Sequence, residues 1–263
     1  SAQHRFGDQA AADAAFAKAA HVASLHLINN RLVANALEPR AALADFDPVT
    51  GRYVLHTGSQ NPTAVRTMLA DAVLNVPQDK VRVIVRDIGG GFGMKSQLYP
   101  EDAMLAYAAG KLCRPVKWCA ERGEEFMAAT QGRDHVTDAA LALDKDGRIL
   151  ALRVETLANV GAVLAPPSAA VPLMLSPKVM TGVYDVPLVD ITTKAVLTNT
   201  ITVAPYRGAG RPEAIYLIER LLDQAAVVTG IDRVEIRRRN LIPASAMPYK
   251  NAVGEAYDRG DFR

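Results

Sequence analysis

An α+β fold, with mixed β-sheets, hairpins and packed helices, is predicted by three observations on the amino-acid sequence. Apolar residues alternate on both sides of turn signals at residues 40–57 and 133–158, as in hairpins. Helix-period segments stand between and after these hairpins. Strands and helices follow one another without the strict βαβ order of a doubly wound parallel sheet. In chain order, the Ala-rich residues 8–20 read as a helix, and the alternation from His21 to Ile28 reads as a first strand. Arg40 to Asp47 and Arg52 to Thr57 form a hairpin around Pro48-Val49-Thr50-Gly51. Asn61-Pro62 opens a helix to about Asn75, with the asparagine as cap and the proline at the first helical position. The strand Val81 to Val85, a glycine-rich loop and a helix from about Pro100 to Leu112 come next. A strand at Val116 to Cys119 precedes a short helix opened by Glu121, Glu124 and Glu125.

His135 to Asp144 and Ile149 to Leu157 alternate on either side of Lys145-Asp146-Gly147, the clearest hairpin of the chain. Residues 159–180 are apolar and carry prolines, and a strand at Val189 to Leu197 leads to a second glycine-bearing segment, Ala204 to Arg211. Helices at about 212–229 and 232–240 end the regular structure of residues 1–242. Residues 243–263, with Pro243, Pro248 and Gly260, read as an extended tail or connector. There is no internal repeat and no low-complexity segment.

The composition narrows the classes of function. With 263 residues and 49% hydrophobic content, the chain can bury a substantial core as one domain or two small lobes. Its 30 Lys and Arg are interspersed with 28 Asp and Glu, so no field at the level of sequence argues for nucleic acid or an acidic membrane. The basic cluster Arg233 with Arg237-Arg238-Arg239 lacks interleaved aromatic residues and reads as a solvated or interface face. Cys113 and Cys119 suit neither a zinc nor an iron-sulfur site, and read as reduced, structural cysteines of a cytoplasmic protein. No apolar stretch reaches the length of a membrane span.

The segment richest in chemical meaning is Asp87-Ile88-Gly89-Gly90-Gly91-Phe92-Gly93-Met94-Lys95, directly after the Val81 strand. Four glycines in five positions remove the Cβ atoms that hold a backbone away from a ligand, and they permit positive φ. A Walker loop needs Gly immediately before Lys-Ser/Thr, and here Met94 precedes Lys95-Ser96. A Rossmann fingerprint needs an acidic residue roughly 20 positions on, and Glu101, Asp102 and Glu121 miss that spacing. A kinase loop needs His-Arg-Asp and Asp-Phe-Gly downstream, and neither occurs. What remains is either another ligand or a tight strand-to-helix turn with no ligand at all.

Six segments, in order across nearly the whole chain, carry a resemblance. They are Leu37-Glu38-Pro39-Arg40, Ser59-Gln60-Asn61-Pro62, Gly89 to Lys95, Tyr206 to Arg211, Arg237 to Asn240 and Tyr257 to Phe262. Together they resemble the molybdenum-binding large subunit of the xanthine dehydrogenase, aldehyde oxidase and aerobic carbon monoxide dehydrogenase superfamily. More narrowly, the chain resembles the first lobe of its molybdopterin-binding domain. The resemblance implies molybdenum held by a molybdopterin, as a cytosine dinucleotide, with iron-sulfur and FAD groups on partner subunits or domains. It implies oxidation of an aldehyde or N-heterocycle at carbon with water-derived oxygen, the electrons leaving through those partners.

Site residues carry over position by position. The family glutamine near the molybdenum oxo group matches Gln60, whose amide can donate a hydrogen bond. Gly90, Gly91, Phe92 and Gly93 match the loop whose backbone approaches pterin and metal, with Phe92 a wall of the substrate funnel. Arg207 matches an arginine whose backbone faces the cofactor, flanked by Gly208 and by Tyr206, which joins Phe92 and Gln97 in the funnel. Glu38 and Arg40 read as a structural pair at a strand start. Relatives that oxidise carbon monoxide carry a copper-holding cysteine directly after the Tyr-Arg pair, where this chain has Gly208, so copper and carbon monoxide are disfavoured. Purine oxidisers have a glutamate after the loop lysine and an arginine near residues 171–180; here stand Ser96-Gln97 and no arginine. The general-base glutamate of the family falls beyond residue 263, in a second lobe of the same polypeptide, so this chain alone is expected to be inactive. The competing expectation is a cofactor-free scaffold or assembly subunit with a vestigial glycine loop.

Overall fold

The computed structural model describes residues Ser1 to Phe262; Arg263, the end of the expected tail, lies outside the described residues. The chain forms two compact units: residues 1–32, 133–203 and 208 onward make one, and residues 33–132 with 204–207 make the other.

The larger unit is built on a five-stranded sheet in the order Ala2–Gly7, Val189–Leu197, Ile149–Gly161, His135–Leu143, His21–Asn29. The expected hairpin pairs antiparallel, with Leu152 opposite Leu141 and Val154 opposite Ala139. Ile149–Gly161 pairs parallel with Val189–Leu197. A parallel pair cannot close through a tight turn, which gives the intervening apolar, proline-bearing stretch its role as the crossover. The period-2 pattern sends Leu141, Leu143, Leu152, Val154 and Ile191 to one face, all fully buried. Against them lies the helix Arg211–Thr229, whose Ala214, Leu217, Ile218, Leu221, Leu222 and Ala225 recur at helical spacing. Each such leucine or isoleucine contributes about 1.5–3 kcal/mol of burial. On the other face the helix Gln9–Lys18, capped by Asp8, packs Ala12 against Ala142 and Ala151.

Some features go beyond the sequence reading. The strand Ala2–Gly7 was not anticipated; it adds to the sheet edge with Ala2 opposite Ala195. The arginine cluster is no plain solvated face: Arg237 pairs with Glu219 and Asp223 of the long helix, and Arg239 with Glu235. Asn240 is buried and shares its amide among Ile149 N, Gly147 O and Ile236 O, locking the Arg233–Asn240 helix to the hairpin turn. Residues 243–262 include a short ladder of Tyr249–Lys250 with Ala256–Tyr257, and buried Asn251 donates to Lys178 O.

The smaller unit carries a four-stranded sheet in the order Val81–Ile84, Arg52–Thr57, Ala41–Asp47, Val116–Cys119. Its hairpin pairs Ala44 with Leu55, and Arg52–Thr57 runs parallel to Val81–Ile84. The helix expected at 61–75 is α-helical over Pro62–Met68 and continues as a π-type turn over Leu69–Leu74. With Pro100–Leu112 it covers one sheet face, where Val65, Leu69, Leu105 and Ala109 bury Ala42, Ala44 and Leu55. Cys113 and Cys119 are both free thiols and both exposed. Among the described residues no helix is long and apolar enough to cross a membrane.

Candidate cofactor site

The glycine loop leaves the end of the Val81–Ile84 strand in the smaller unit and returns at a short 3-10 turn, Met94–Ser96. Its tip is a tight reversal in which Met94 N donates to Gly91 O at 2.9 Å. Both central residues have positive φ, 50° at Phe92 and 95° at Gly93, as in a type I′ turn. For an aromatic residue this conformation is uncommon and strained, and it turns Phe92 outward, 42% exposed, where a core phenylalanine would be hidden.

Three loop glycines are required by the protein itself. A Cβ at Gly89 would stand 2.5 Å from Glu38 Cβ, one at Gly91 2.5 Å from Gln60 Cδ, and one at Gly93 2.4 Å from Pro205 O. The loop is thus wedged between Glu38, Gln60 and the Ala204–Arg207 segment. Arg207 N donates to Phe92 O at 2.9 Å, which fixes the backbone of Arg207, an exposed residue, beside the loop tip. Next to it, Tyr206 packs with its Cβ in the space that a side chain at Gly132 would need, 2.3 Å away.

Gln60 is the best-defined polar group. Its N–H donates to Lys95 O at 2.7 Å and its Oε1 accepts from Gly93 N at 2.8 Å. A backbone N–H can only donate, so the atom facing it must be the amide oxygen, and this fixes the orientation of the carboxamide. Nε2, with its two N–H donors, therefore points away from the loop and has no hydrogen-bond partner among the described residues. Asn61, not Gln60, caps the following helix by accepting from Ala64 N.

Behind the tip, Glu38 and Lys95 hold the two ends of the loop. Glu38 N donates to Gly89 O at 3.0 Å, while Glu38 Oε2 accepts from Gly89 N and from Lys95 Nζ, each at 2.8 Å. Lys95, only 1% exposed, also donates to Glu38 O at 2.9 Å. The hydrogen bond from Lys95 holds the Glu38 carboxyl below the usual carboxylate range, with the Gly89 N–H adding to it. The expected pairing of Glu38 with Arg40 is corrected here. Arg40, just ahead of the Ala41–Asp47 strand, instead reaches Glu101 and Glu125 and stacks 3.8 Å from the Tyr99 ring. Tyr99 donates its hydroxyl to Met94 O at 2.8 Å, and burial pushes its phenol pKa up. Gln97 is buried with Oε1 unpartnered, its side-chain amide beside that hydroxyl.

Gly208 belongs to the larger unit and sits in a second reversal of the same kind. Arg211 N donates to Gly208 O, and Ala209 and Gly210 have φ of 44° and 91°. Of the residues expected in the site, Gln60, Gly90, Gly91, Phe92, Gly93, Tyr206, Gln97 and Arg207 all lie in the smaller unit. The sequence reading missed the roles of Glu38, Lys95 and Tyr99. For Lys95 the available signal was a lysine directly after a glycine loop that fails the Walker spacing.

No group of three or more His, Cys, Asp or Glu gathers as a metal site among the described residues. The residues fit a group that brings its own metal ligands: a glycine backbone without Cβ atoms, an outward aromatic ring, and an amide whose two donors have no protein partner. Fold and site thus define an α+β unit whose glycine loop leaves backbone and amide groups facing outward.

The matches with known proteins give that class its family. The model of the molybdopterin cofactor-binding domain matches residues 1–241, and the chain belongs to this family. It is 38% identical to the carbon monoxide dehydrogenase large chain of Hydrogenophaga pseudoflava over 97% of this chain and 32% of that one. It is 32% identical to the nicotine 6-hydroxylase large subunit of Paenarthrobacter nicotinovorans over 98% of this chain and 31% of that one. Quinoline 2-oxidoreductase from Pseudomonas putida 86 superposes with a TM-score of 0.92 at 33% identity, covering 98% of this chain and 33% of that one. The chain spans about a third of the length of the curated relatives it matches.

Proposed function

We propose that this chain is the first lobe of the cofactor domain of a molybdenum hydroxylase that oxidises an aldehyde or N-heterocycle with water-derived oxygen. The observation that carries the reading is the Gln60 carboxamide, held by Gly93 N–H so that its amino group is the free end. When bound, a molybdenum-molybdopterin cofactor supplies a Lewis-acidic, two-electron redox centre, which is the hard part of the chemistry.

The chain supplies position. Gln60 Nε2 offers hydrogen bonds toward the cofactor, and the backbones of Gly90, Gly91, Phe92, Gly93 and Arg207 form the surface it approaches; Gly208, next in sequence, is assigned to cofactor binding by the family motif alone. Phe92, Tyr206 and Gln97 line the way for substrate, Phe92 as an apolar wall. A soft-metal ligand directly after Arg207 is disfavoured. Gly208 has φ of 95°, and a Cβ there would stand 2.6 Å from Pro212 Cδ, so a cysteine would be strained and crowded.

Residues 1–242 then form the cofactor lobe, and residues 243–263 lead toward a second lobe of the same polypeptide that carries the general base. Electrons pass to iron-sulfur and FAD partners, the pterin is a cytosine dinucleotide, the complex is cytoplasmic, and the chain alone is inactive. The test is molybdenum and pterin content of the full-length polypeptide, purified with its neighbouring subunits from a host that makes the cofactor. Stoichiometric metal with pterin is the expected result; a folded complex lacking both overturns the reading and favours a scaffold.

A further inference from the structure

We propose that Glu38 and Lys95 form a clamp that sets the geometry of the glycine loop, and through it the aim of the Gln60 amide; both are positioning residues. The inference rests on the reading of this loop as a cofactor cradle.

Its basis is a closed set of bonds. Glu38 satisfies both backbone groups of Gly89, accepting from its N–H with the carboxylate and donating its own N–H to the carbonyl. The same carboxylate oxygen accepts from Lys95 Nζ, which also reaches the Glu38 carbonyl. Glu38 therefore ties the first residue of the loop to the last. Gln60 repeats this one layer nearer the tip, with Gly93 on its side chain and Lys95 O on its N–H. Lys95 is the residue common to both ties. Its main chain holds Gln60 and its side chain holds Glu38, so a shift of Lys95 moves the base on which Gln60 stands.

Burial makes the clamp sensitive to its partners. Lys95 is 1% exposed, and an ammonium that loses its carboxylate inside a protein is left with an uncompensated charge. Glu38 is the wet end of the pair, its side chain 47% exposed. The strain that the clamp must oppose lies at Phe92, which a slack loop would relax away from φ of 50°.

The test uses the full-length protein in its natural complex, with the variants Glu38→Gln, Lys95→Met and the two combined. Hydrogen exchange of the peptide spanning residues 86–98 reads the clamp itself, and exchange at least tenfold faster than in the parent is expected in each variant. Molybdenum lost on prolonged dialysis, with the molybdenum electron paramagnetic resonance spectrum, reads its purpose. Each single variant should lose metal several-fold faster with an altered spectrum, and the double variant should lose it no faster than the worse single variant, because the pair acts as a unit. Unchanged exchange in both single variants overturns the clamp, and so does additive metal loss in the double variant. Faster exchange with parental metal retention and spectrum confines the clamp to the loop and overturns its role toward the cofactor. A parent complex without molybdenum defeats the cofactor reading, while the exchange result still decides whether the clamp exists. Lys95→Met keeps the buried volume, and Glu38→Gln keeps the exposed shape, so either variant suffices if the other fails to fold.

Discussion

The side-chain oxygen of Gln60 accepts the backbone N–H of Gly93 across 2.8 Å, and this single bond decides which end of the amide the protein presents. Because the donor is a backbone group, the carboxamide cannot flip without losing the bond, so two N–H donors are held facing outward. A glutamate in this place would have no donor to offer.

Replacing Gln60 with alanine removes both the outward donor and the tie to Gly93. Turnover in the assembled enzyme is expected to fall roughly 100-fold, as when one donor to a reacting centre is deleted. Thermal unfolding should register only about 1 kcal/mol for the lost hydrogen bond. Steady-state rates beside a melting curve separate the two effects, and unchanged turnover would remove Gln60 from the site.

Gly91→Ala puts a methyl group 2.5 Å from Gln60 Cδ and 2.6 Å from Oε1. The amide must then swing away, and molybdenum content is expected to drop, further still in Gly91→Val. Since the collision is with Gln60, the double variant Gly91→Ala with Gln60→Ala should hold more metal than Gly91→Ala alone. Metal analysis of the purified complexes checks the order.

Leu221 is fully buried between the long helix and the five-stranded sheet. Leu221→Ala should cost about 2–5 kcal/mol, the range for a deleted core leucine with a residual cavity. Denaturant unfolding of the full-length protein measures the cost, and a value near zero would mean that this core relaxes to fill the gap.

Burial holds the His135 imidazole below its ordinary pKa of 6.5, against the opposing pull of Glu213 and Asp134. The folded state therefore binds a proton less readily than the unfolded state. By linkage this contribution is full above the ordinary histidine range and is lost as pH falls through and below it. Melting temperatures of the full-length protein between about pH 8 and 5.5 should fall on acidification, and less steeply in His135→Gln. Equal slopes would assign the acid sensitivity to other groups.

Glu38 titrates with the same sign at lower pH. The Lys95 hydrogen bond depresses its pKa, so its stabilisation of the loop is present above the ordinary carboxylate range and disappears as pH drops through the depressed value. Hydrogen exchange at Gly89 should accelerate below about pH 4 in the parent protein and be insensitive to pH, once corrected for intrinsic exchange, in Glu38→Gln.

Much of the fold was legible because it is local. The alternation through His135–Leu143 and Ile149–Gly161 specifies which face is buried wherever the chain runs as a strand. Asn61 and Pro62 announce a helix start through capping chemistry alone. Ala2–Gly7 escaped notice because it is an edge strand with five of its six residues exposed, leaving no apolar alternation to read. The π-type turn over Leu69–Leu74 was invisible for a different reason: its residues suit an ordinary helix, and only the left-handed end at Asn75 and the packing of Leu69 show the difference.

By itself the sequence determined the types of most elements, the two glycine segments and the family they mark, since each depends on residue chemistry at short spacing or on ordered motifs. The tertiary structure alone decided who holds whom. Glu38 stands two residues from Arg40, yet pairs with Lys95, because the chain bends at residues 37–38 before the Ala41–Asp47 strand begins, and because only folding brings the two ends of the glycine loop to one carboxylate. The aim of Gln60 is of the same kind: a glutamine can donate or accept from either end, and the N–H of a residue 33 positions away settles which.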